Sequence, residues 1–368
     1  FGKLIFAAHE RGIKVILDGV FNHSGRGFFA FNDILENGAE SAYRDWYHVQ
    51  NFPLDAFTHG EAKRYRGWWG YKSLPKLNTD YPAVKKYIFE AAKYWIDQGI
   101  DGWRLDVPNE IDDDQFWSDF RDTVKNANPE AYILGEIWDI QPRWVGEQHF
   151  DGLMNYPIRS AILDMLVGKI QSSKAIEIIK KILISYPGEN QFAMFNLLGS
   201  HDTERVKTNL GNCLPLVKLA YLILFALQGC PCIYYGDEIG MIGGKDPDCR
   251  GAFPWEGEKW DKDLRDWVRK CAHTRKAHSI LCEGVMNASH LSLDPDVFMI
   301  HRSQDNQRFC LIVNPTHQKK LIQIPASELS TYGSTQIREL LGQPVNISIV
   351  DEIASILLDP ISGIWLLG

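Results

Sequence analysis

The chain has 368 residues, 45% of them hydrophobic, and a formal net charge of −8. This length allows one large α/β domain and a smaller second domain, and the acidic balance disfavours nucleic acid as a partner. The absence of any run of about 18 apolar residues predicts no membrane span. Seven cysteines, an odd number spread from Cys213 to Cys310, favour a reducing, cytoplasmic setting over a disulfide framework. The chain begins at Phe1 inside a helix pattern, so it does not tell whether a signal peptide precedes it.

Helix and strand patterns alternate along most of the chain. In order, they are a helix over 2–11, a buried strand over 15–21, a helix over 83–98, a strand over 101–106, a helix over 112–127, strands over 132–136, 151–155 and 195–200, a buried helix over 214–227, a strand over 231–238 and a closing helix over 264–278. Such alternation predicts a parallel sheet with right-handed crossovers. The Gly- and aromatic-rich segment 24–80 interrupts it and is predicted to be an irregular inserted subdomain. Short strands with polar turns between them predict an antiparallel all-β domain over 283–368.

Four of the predicted strands carry an acidic residue at or near their C-terminal end: Asp18, Asp106, Glu136 and Asp202. In a barrel of alternating strands and helices, polar side chains at these strand ends point into the site. Arg104 lies two residues before Asp106, on the same face of its strand, and a guanidinium there favours an ionised carboxylate. This pattern is typical of a carboxylate nucleophile, and a purely structural Arg-Asp ion pair is the alternative.

Two of these carboxylates suit the hydrolysis of a glycosidic bond. Retaining hydrolysis needs a nucleophile and a general acid about 5–5.5 Å apart. Asp106 and Glu136 end consecutive strands, and neighbouring strands lie about 4.8 Å apart. Apolar Ile137 and Trp138 follow Glu136, which predicts a raised pKa and a protonated general acid.

Four ordered motifs carry a family resemblance. They are Asp18-x-x-x-Asn22-His23, Gly102-x-Arg104-x-Asp106, Glu136 at the end of a strand, and His201-Asp202 at the end of another. Over nearly the whole chain, this set resembles the α-amylase family of glycoside hydrolases. The segments 74–78 (LPKLN), Asn109-Glu110 and 243–250 (GGKDPDCR) resemble its neopullulanase, cyclomaltodextrinase and maltogenic amylase branch.

The resemblance implies a (β/α)8 barrel with a subdomain inserted after the third strand and a C-terminal antiparallel β-sandwich. The barrel is expected over 1–282, with the insert at 24–80 and the sandwich over 283–368. Because the chain opens in the helix before strand three, strands one and two are expected to be missing from it. An open parallel barrel would expose sheet edges, so we expect the chain to need an upstream segment for full stability and activity.

The resemblance also implies a role for each candidate site residue. Asp106 is the nucleophile, Glu136 the general acid, and Asp202 a carboxylate that grips sugar hydroxyls. Substrate contacts are implied for His23, Arg104, His201, Asn109, Glu110, Asp246 and Arg250. Structural alternatives stay open: a satisfied histidine for each of the two, helix capping for Asn109 and Glu110, and a surface ion pair for Asp246 and Arg250.

Calcium is the one cofactor that the resemblance raises. Asn22 matches a position that helps to hold calcium in many relatives, but Glu110 stands where calcium-binding amylases commonly carry histidine. We therefore expect no required cofactor and no metal ligands. Asp18 and Asn22 are expected to brace the site. Trp68, Trp69 and Tyr71 are candidates for stacking on sugar rings or for the core of the insert.

The sequence leaves three functions open. The first is retaining hydrolysis of α-1,4 bonds, with α-1,6 bonds as a second target, in cyclodextrins, maltooligosaccharides or pullulan. The second is transglycosylation or isomerisation, in which a sugar hydroxyl replaces water, and the third is a non-catalytic carbohydrate-binding or subunit protein. The expected partner is an α-glucan oligosaccharide, with no nucleic acid and no membrane, and a homodimer stays open for a full-length protein. Product size and bond preference are not determined by the sequence.

Overall fold

The computed structural model of the protein describes residues 1–287, 295–330 and 337–368. These residues form two compact units, and each unit is described by itself. Within the described residues, every helix is too short or too polar to cross a membrane.

The first unit, Phe1–Ile137 with Gln141–Leu153, contains a four-stranded parallel sheet. Across the sheet, its strands are β1 (Ile16–Gly19), β2 (Gly102–Leu105), β3 (Tyr132–Gly135) and β4 (Gly152–Leu153). Its helices are α1 (Gly2–His9), α2 (Phe29–Asn37), α3 (Pro82–Asp97) and α4 (Asp114–Ala127). The parallel pairing predicted from the alternation is confirmed for these strands.

Local sequence explains the bounds of α3 and α4. Pro82 opens α3, where a missing N–H costs nothing, and Gly99 follows its end at a φ of 99°. Asp113 caps α4 by accepting from the backbone N–H groups of Gln115 and Phe116. Buried residues recur every three or four positions on both helices, which is the spacing of one helix face.

The first strand was predicted to be buried, but much of it is exposed. β1 is shorter than the predicted 15–21, and Ile16 and Val20 are 38% and 43% exposed. The reason is its position, because β1 lies at the edge of the four-stranded sheet and pairs with β2.

The segment 24–80 is more regular than expected, because it contains α2 and several isolated bridges. Phe31 of α2 packs edge-on against Tyr47 and at a tilt against Tyr65, and all three rings are buried. Aromatic residues therefore form a small core of their own here. Trp69 and Tyr71 lie outside that core, at 73% and 55% exposure.

The second unit, Trp138–Ile140 with Met154–Gly368, continues the alternation. Its helices are α5 (Tyr156–Leu166), α6 (Ser172–Ser185), α7 (Asn190–Ala193), α8 (Val206–Asn209), α9 (Leu214–Ala226), α10 (Lys262–Ala277) and α11 (Ser279–Glu283). Two short strands, β5 (Phe195–Leu197) and β6 (Cys230–Cys232), pair in parallel. The apolar run predicted to be a buried helix is α9, and the prediction is confirmed.

The predicted strand over 231–238 is wrong beyond Cys232. Gly236 adopts a φ of 85°, and a short 3-10 turn over Asp237–Ile239 follows it. Asp237 is buried, with Oδ1 3.0 Å from Nη1 of Arg205. A left-handed glycine cannot continue a strand, and here it turns the chain so that this carboxylate reaches its partner.

The C-terminal part of this unit is antiparallel, as predicted. β7 (Val285–Asn287), β8 (Phe298–Gln304), β9 (Gln307–Asn314), β14 (Ser362–Leu367) and β11 (Arg338–Glu339) form one sheet, and β10 (Lys320–Pro325), β13 (Ile353–Leu358) and β12 (Ile347–Val350) form another. Met299 and Ile312 of the first sheet share a buried cluster with Ile322 and Ile356 of the second. The domain limits 1–282 and 283–368 themselves stay a prediction.

Candidate active site

Adjacent strand ends bring the first group of candidate residues together in the first unit. In the register of the sheet, Asp18 of β1 lies opposite Arg104 of β2. Leu105, the last residue of β2, lies opposite Gly135, the last residue of β3, so Asp106 and Glu136 directly follow the two strands at the same level. Side chains that leave neighbouring parallel strands at the same level lie side by side.

Arg104 joins three carboxylates. Its Nη1 donates to Oδ1 of Asp18 at 2.8 Å and to Oδ1 of Asp106 at 3.0 Å. Its Nη2 lies 2.9 Å from Oε1 of Glu136. Burial opposes the charge on the guanidinium, but the carboxylates of Glu136, Asp18 and Asp106 outweigh it and raise the pKa of Arg104. This arginine is therefore a fixed positive charge between the two predicted catalytic carboxyl groups.

Glu136 has charged and polar partners in addition to the apolar neighbour expected from the sequence. Glu136 is buried, as expected, and Ile137 beside it is also buried. Its carboxylate nevertheless contacts Arg104 through Oε1 and accepts from the backbone N–H of Val107 at 3.2 Å through Oε2. The sequence predicted the surroundings of Glu136 only from the apolar residues that follow it along the chain. These two partners of Glu136 come from the neighbouring strand β2 and from the turn that follows β2.

His23 is enclosed by its neighbours. It is 7% exposed, and its ring stacks on Trp68 with centroids 4.8 Å apart and planes at 9°. Nδ1 lies 3.1 Å from Nδ2 of Asn22. Burial lowers the pKa of His23, and the charges of Asp106 and Glu110 oppose that shift only in part. A lowered pKa keeps the imidazole neutral near pH 7, with one nitrogen that donates and one that accepts.

Lys76 lies opposite His23 on a neighbouring segment of the chain. The backbones around them pair antiparallel, with Ser24 N–H donating to Pro75 O at 3.0 Å. Lys76 is 7% exposed, and its Nζ donates to Oδ1 of Asn22 and, at 2.8 Å, to the backbone carbonyl of Glu110. Burial lowers the pKa of Lys76 to about 8, which leaves it mostly protonated at neutral pH.

These contacts decide how the residues fit calcium. A calcium ion takes six to eight oxygen ligands, carboxylates prominent among them. Around Asn22, the amide oxygen already accepts from the lysine ammonium, and a second cation would be repelled. Within the described residues, no group of three or more His, Cys, Asp or Glu side chains could hold a metal ion. The position beside Asn22 that the family pattern raised for calcium is taken by the ammonium of Lys76.

Asn109 and Glu110 lie in a 3-10 turn over Pro108–Glu110. Oε1 of Glu110 accepts from Nε1 of Trp69 at 3.3 Å, and Trp69 stacks on Trp68. The side-chain cap of the following helix is Asp113, so the capping alternative for Asn109 and Glu110 is wrong.

A second group of candidate residues lies in the second unit. Nε2 of His201 is 3.1 Å from Oδ2 of Asp202, and Nη2 of Arg250 is 3.2 Å from Oδ1 of Asp202. Nε of Arg250 is also 2.6 Å from Oδ1 of Asp246. Arg250 thus joins Asp246 to Asp202, and the pair is more than an isolated surface contact.

Sequence reasoning missed three of these features. Lys76 was part of a motif but had no role, although a lysine between Pro75 and Leu77 in an otherwise apolar stretch is a signal of a buried cation. The contact of Arg250 with Asp202 and that of Val107 with Glu136 have no signal in spacing, because they join separate segments of the chain.

The chain is similar to known carbohydrate-active proteins. The model of the α-amylase catalytic domain matches residues 1–312. A cyclomaltodextrinase of a Bacillus species is 43% identical over 314 residues, covering 85% of this chain and 56% of that protein. Neopullulanase 2 of Thermoactinomyces vulgaris is 37% identical over 349 residues, covering 94% and 58%. The chain thus spans a little over half the length of the curated relatives that it matches.

A solved structure agrees in fold over the whole chain. The ligand-free cyclic α-maltosyl-(1→6)-maltose hydrolase of Arthrobacter globiformis superposes with a TM-score of 0.87 at 35% identity. The match covers 100% of this chain and 77% of that one.

Proposed function

Because the chain belongs to the α-amylase family of glycoside hydrolases, we propose that it hydrolyses α-1,4-glucosidic bonds in cyclodextrins, maltooligosaccharides or pullulan with retention of configuration. It has the (β/α)8 barrel fold of this family with a C-terminal antiparallel β-sheet domain. The proposal extends to α-1,6 bonds, because one similar structure is that of a hydrolase whose named substrate, cyclic α-maltosyl-(1→6)-maltose, contains such a bond.

One observation carries this proposal. Asp106 and Glu136 follow neighbouring parallel strands at the same level, and both contact the guanidinium of Arg104. A retaining glycosidase needs two carboxyl groups close together, one to attack and one to donate a proton.

The proposed reaction has two steps. In the first, an oxygen of Asp106 attacks the anomeric carbon while Glu136 donates its proton to the leaving glycosidic oxygen. The carbon-oxygen bond to the leaving sugar breaks, and a covalent glycosyl ester forms. In the second step, Glu136 takes a proton from water while the water oxygen bonds to the anomeric carbon, and the bond between that carbon and the Asp106 oxygen breaks.

Arg104 suits both steps. The negative charge is on Asp106 before the first step and on Glu136 after it. Arg104 contacts both carboxyl groups, so the moving charge keeps a positive partner throughout. Arg104 therefore stabilises the moving charge, beyond the substrate contact that the family pattern suggested.

The remaining roles follow the family pattern and are part of the same proposal. Asp202 binds sugar hydroxyls, held by His201 and Arg250. His23 donates a hydrogen bond to the reacting sugar. Binding of further sugar units is assigned to Asn109, Glu110, Asp246 and Arg250.

We also propose that the enzyme works without a required cofactor. Lys76 supplies the positive charge beside Asn22 and Glu110, so calcium has no role there. The surroundings proposed for the protein are cytoplasmic, since its seven cysteines are all free thiols. The segment 24–80 is proposed as the subdomain inserted into the barrel, and a homodimer is proposed for a full-length protein. Nucleic acid and membranes are not among the proposed partners.

Asp106→Asn tests the assignment. The change removes the nucleophile at nearly constant volume, so release of reducing sugar from β-cyclodextrin should fall by several orders of magnitude while the melting temperature stays close to that of the parent. Turnover within about tenfold of the parent, which is about 1.4 kcal/mol in barrier, would contradict the assignment.

The same assay separates the alternatives. Longer oligosaccharides without net release of reducing ends would identify a transglycosylase. Binding of maltooligosaccharide without any turnover by the parent protein would identify a non-catalytic carbohydrate-binding protein.

A further inference from the structure

Lys76 belongs to a closed chain of contacts and has no role of its own in the proposed reaction. Its ammonium donates to the amide oxygen of Asn22 and to the carbonyl of Glu110. From Asn22 the contacts continue to His23. The chain of contacts then passes from His23 through the stacked rings of Trp68 and Trp69 and returns to the carboxylate of Glu110.

We propose that Lys76 is a positioning residue that acts through Asn22 to hold the ring of His23 in the tautomer with its hydrogen on Nε2. Its link to catalysis rests on the function proposed above, in which His23 donates a hydrogen bond to the sugar. The effect on the ring itself is independent of that function.

Lys76 fixes the orientation of the Asn22 amide. An ammonium group only donates hydrogen bonds, so the atom of Asn22 that faces Lys76 must be the oxygen. The amide nitrogen then faces His23. Without Lys76, nothing in these contacts would distinguish the two ends of the amide.

The Asn22 amide in turn fixes the tautomer of His23. The amide nitrogen of Asn22 is a donor, and it lies 3.1 Å from Nδ1 of the ring. Nδ1 must therefore accept. Because the lowered pKa keeps the ring neutral, the remaining hydrogen is on Nε2, which becomes the donor.

The charge of Lys76 explains why a lysine is buried here. Lys76 is 7% exposed, and its two hydrogen-bond acceptors are neutral oxygens. Burying an ammonium group between neutral acceptors is costly in free energy. A neutral donor such as glutamine would satisfy one acceptor at lower cost, but its own amide could rotate and would not fix Asn22. The charged, donor-only group is what makes the orientation of Asn22 unambiguous.

Aromatic stacking also holds the imidazole ring of His23, through contacts on the face of the ring. Trp68 lies parallel to His23, and Trp69 lies on Trp68 with centroids 4.8 Å apart. Trp69 itself has a φ of 49°, a conformation that costs free energy for a tryptophan, and its indole bonds to Glu110. Lys76 holds the carbonyl of that same glutamate, so one ammonium group supports both the edge and the face of the imidazole.

The test measures the tautomer directly. Protein labelled with ¹⁵N-histidine is compared before and after Lys76→Met, and the ring signals of His23 are assigned from His23→Gln. The parent should show a protonated Nε2 and an unprotonated Nδ1. In Lys76→Met, the Asn22 amide can rotate, so the signals should shift towards a mixture of both tautomers.

Asn22→Asp gives the opposite and sharper outcome. A carboxylate can still accept from Lys76, but it cannot donate to Nδ1. The His23 ring should therefore reverse to the tautomer with its hydrogen on Nδ1. Lys72→Met is the matched control, because Lys72 also donates within segment 24–80, to Asp55 and Thr58, without touching His23.

Activity on β-cyclodextrin separates positioning from simple structural support. Lys76→Met should lower kcat/KM by about tenfold or more, and Lys72→Met should change it by less than about twofold. The proposal is overturned if His23 keeps its hydrogen on Nε2 in both Lys76→Met and Asn22→Asp. If the tautomer changes as expected but kcat/KM does not, the positioning stands and the role proposed for His23 fails.

Discussion

Val107 donates its backbone N–H to Oε2 of Glu136 at 3.2 Å from a left-handed conformation with a φ of 35°. A β-branched residue in this region is a rare and costly conformation. Val107 directly follows Asp106, so the turn that ends the nucleophile's strand also supplies a hydrogen bond to the proposed general acid. The strain and the contact occur at one position, and we interpret the strain as the cost of this coupling.

Arg104→Lys should abolish most of the activity. A lysine ammonium is a single compact charge and cannot place two nitrogens against Asp106 and Glu136 as the guanidinium does. We expect kcat on a maltooligosaccharide to fall on the order of a hundredfold or more. Arg121→Lys, which changes a different arginine-aspartate pair, is the control. A loss below about tenfold in Arg104→Lys would show that charge alone is enough.

Glu136→Gln should affect substrates unequally. An activated aryl glycoside needs little protonation of its leaving group, whereas a maltooligosaccharide needs full protonation. We therefore expect kcat to fall far more on the maltooligosaccharide than on the aryl glycoside. An equal loss on both substrates would instead indicate a binding role for Glu136.

Arg250→Met should lower activity more than Asp246→Asn. Both variants remove the ion pair between Arg250 and Asp246, but only the first also removes the contact with Asp202. These side chains are partly exposed, so each change should alter the free energy of unfolding by less than about 1 kcal/mol. Equal effects on kcat/KM for β-cyclodextrin would mean that Asp246 and Arg250 act as one unit.

Asp113→Ala should lower the free energy of unfolding by about 1 kcal/mol, because it removes the side-chain cap of α4. Asn109→Ala, at an exposed position in the preceding turn, should change it by less than about 0.5 kcal/mol. Denaturant unfolding of both variants measures the difference. A larger loss in Asn109→Ala would restore the capping alternative for that residue.

Removal of calcium with a chelator should leave both the melting temperature and β-cyclodextrin hydrolysis unchanged. A site filled at about 100 times its dissociation constant would add about 2.7 kcal/mol to stability, and that contribution would be lost on chelation. Recovery of a lowered melting temperature on adding calcium back would contradict the assignment of Lys76 as the cation beside Asn22 and Glu110.

The sequence by itself placed Asp106 and Glu136 directly after two neighbouring parallel strands. Asp106 and Glu136 could be identified because a buried strand is recognisable from its apolar residues, and a carboxylate at its end is unusual there. The period of two within a strand also predicted that Arg104 and Asp106 share a face, and they contact each other. The order of these motifs indicated the family, and the match over residues 1–312 confirmed it.

Only the tertiary structure decided which partners meet across segments. The contact of Arg104 with Glu136 depends on strand register, and that of Lys76 with Asn22 depends on a pairing between residues 54 positions apart. Spacing along one strand or helix predicts which side chains share a face, but it carries no information on what lies opposite that face. For this reason, the apolar residues after Glu136 did not reveal its contact with Arg104, and Lys76 had no role until the fold placed it beside Asn22.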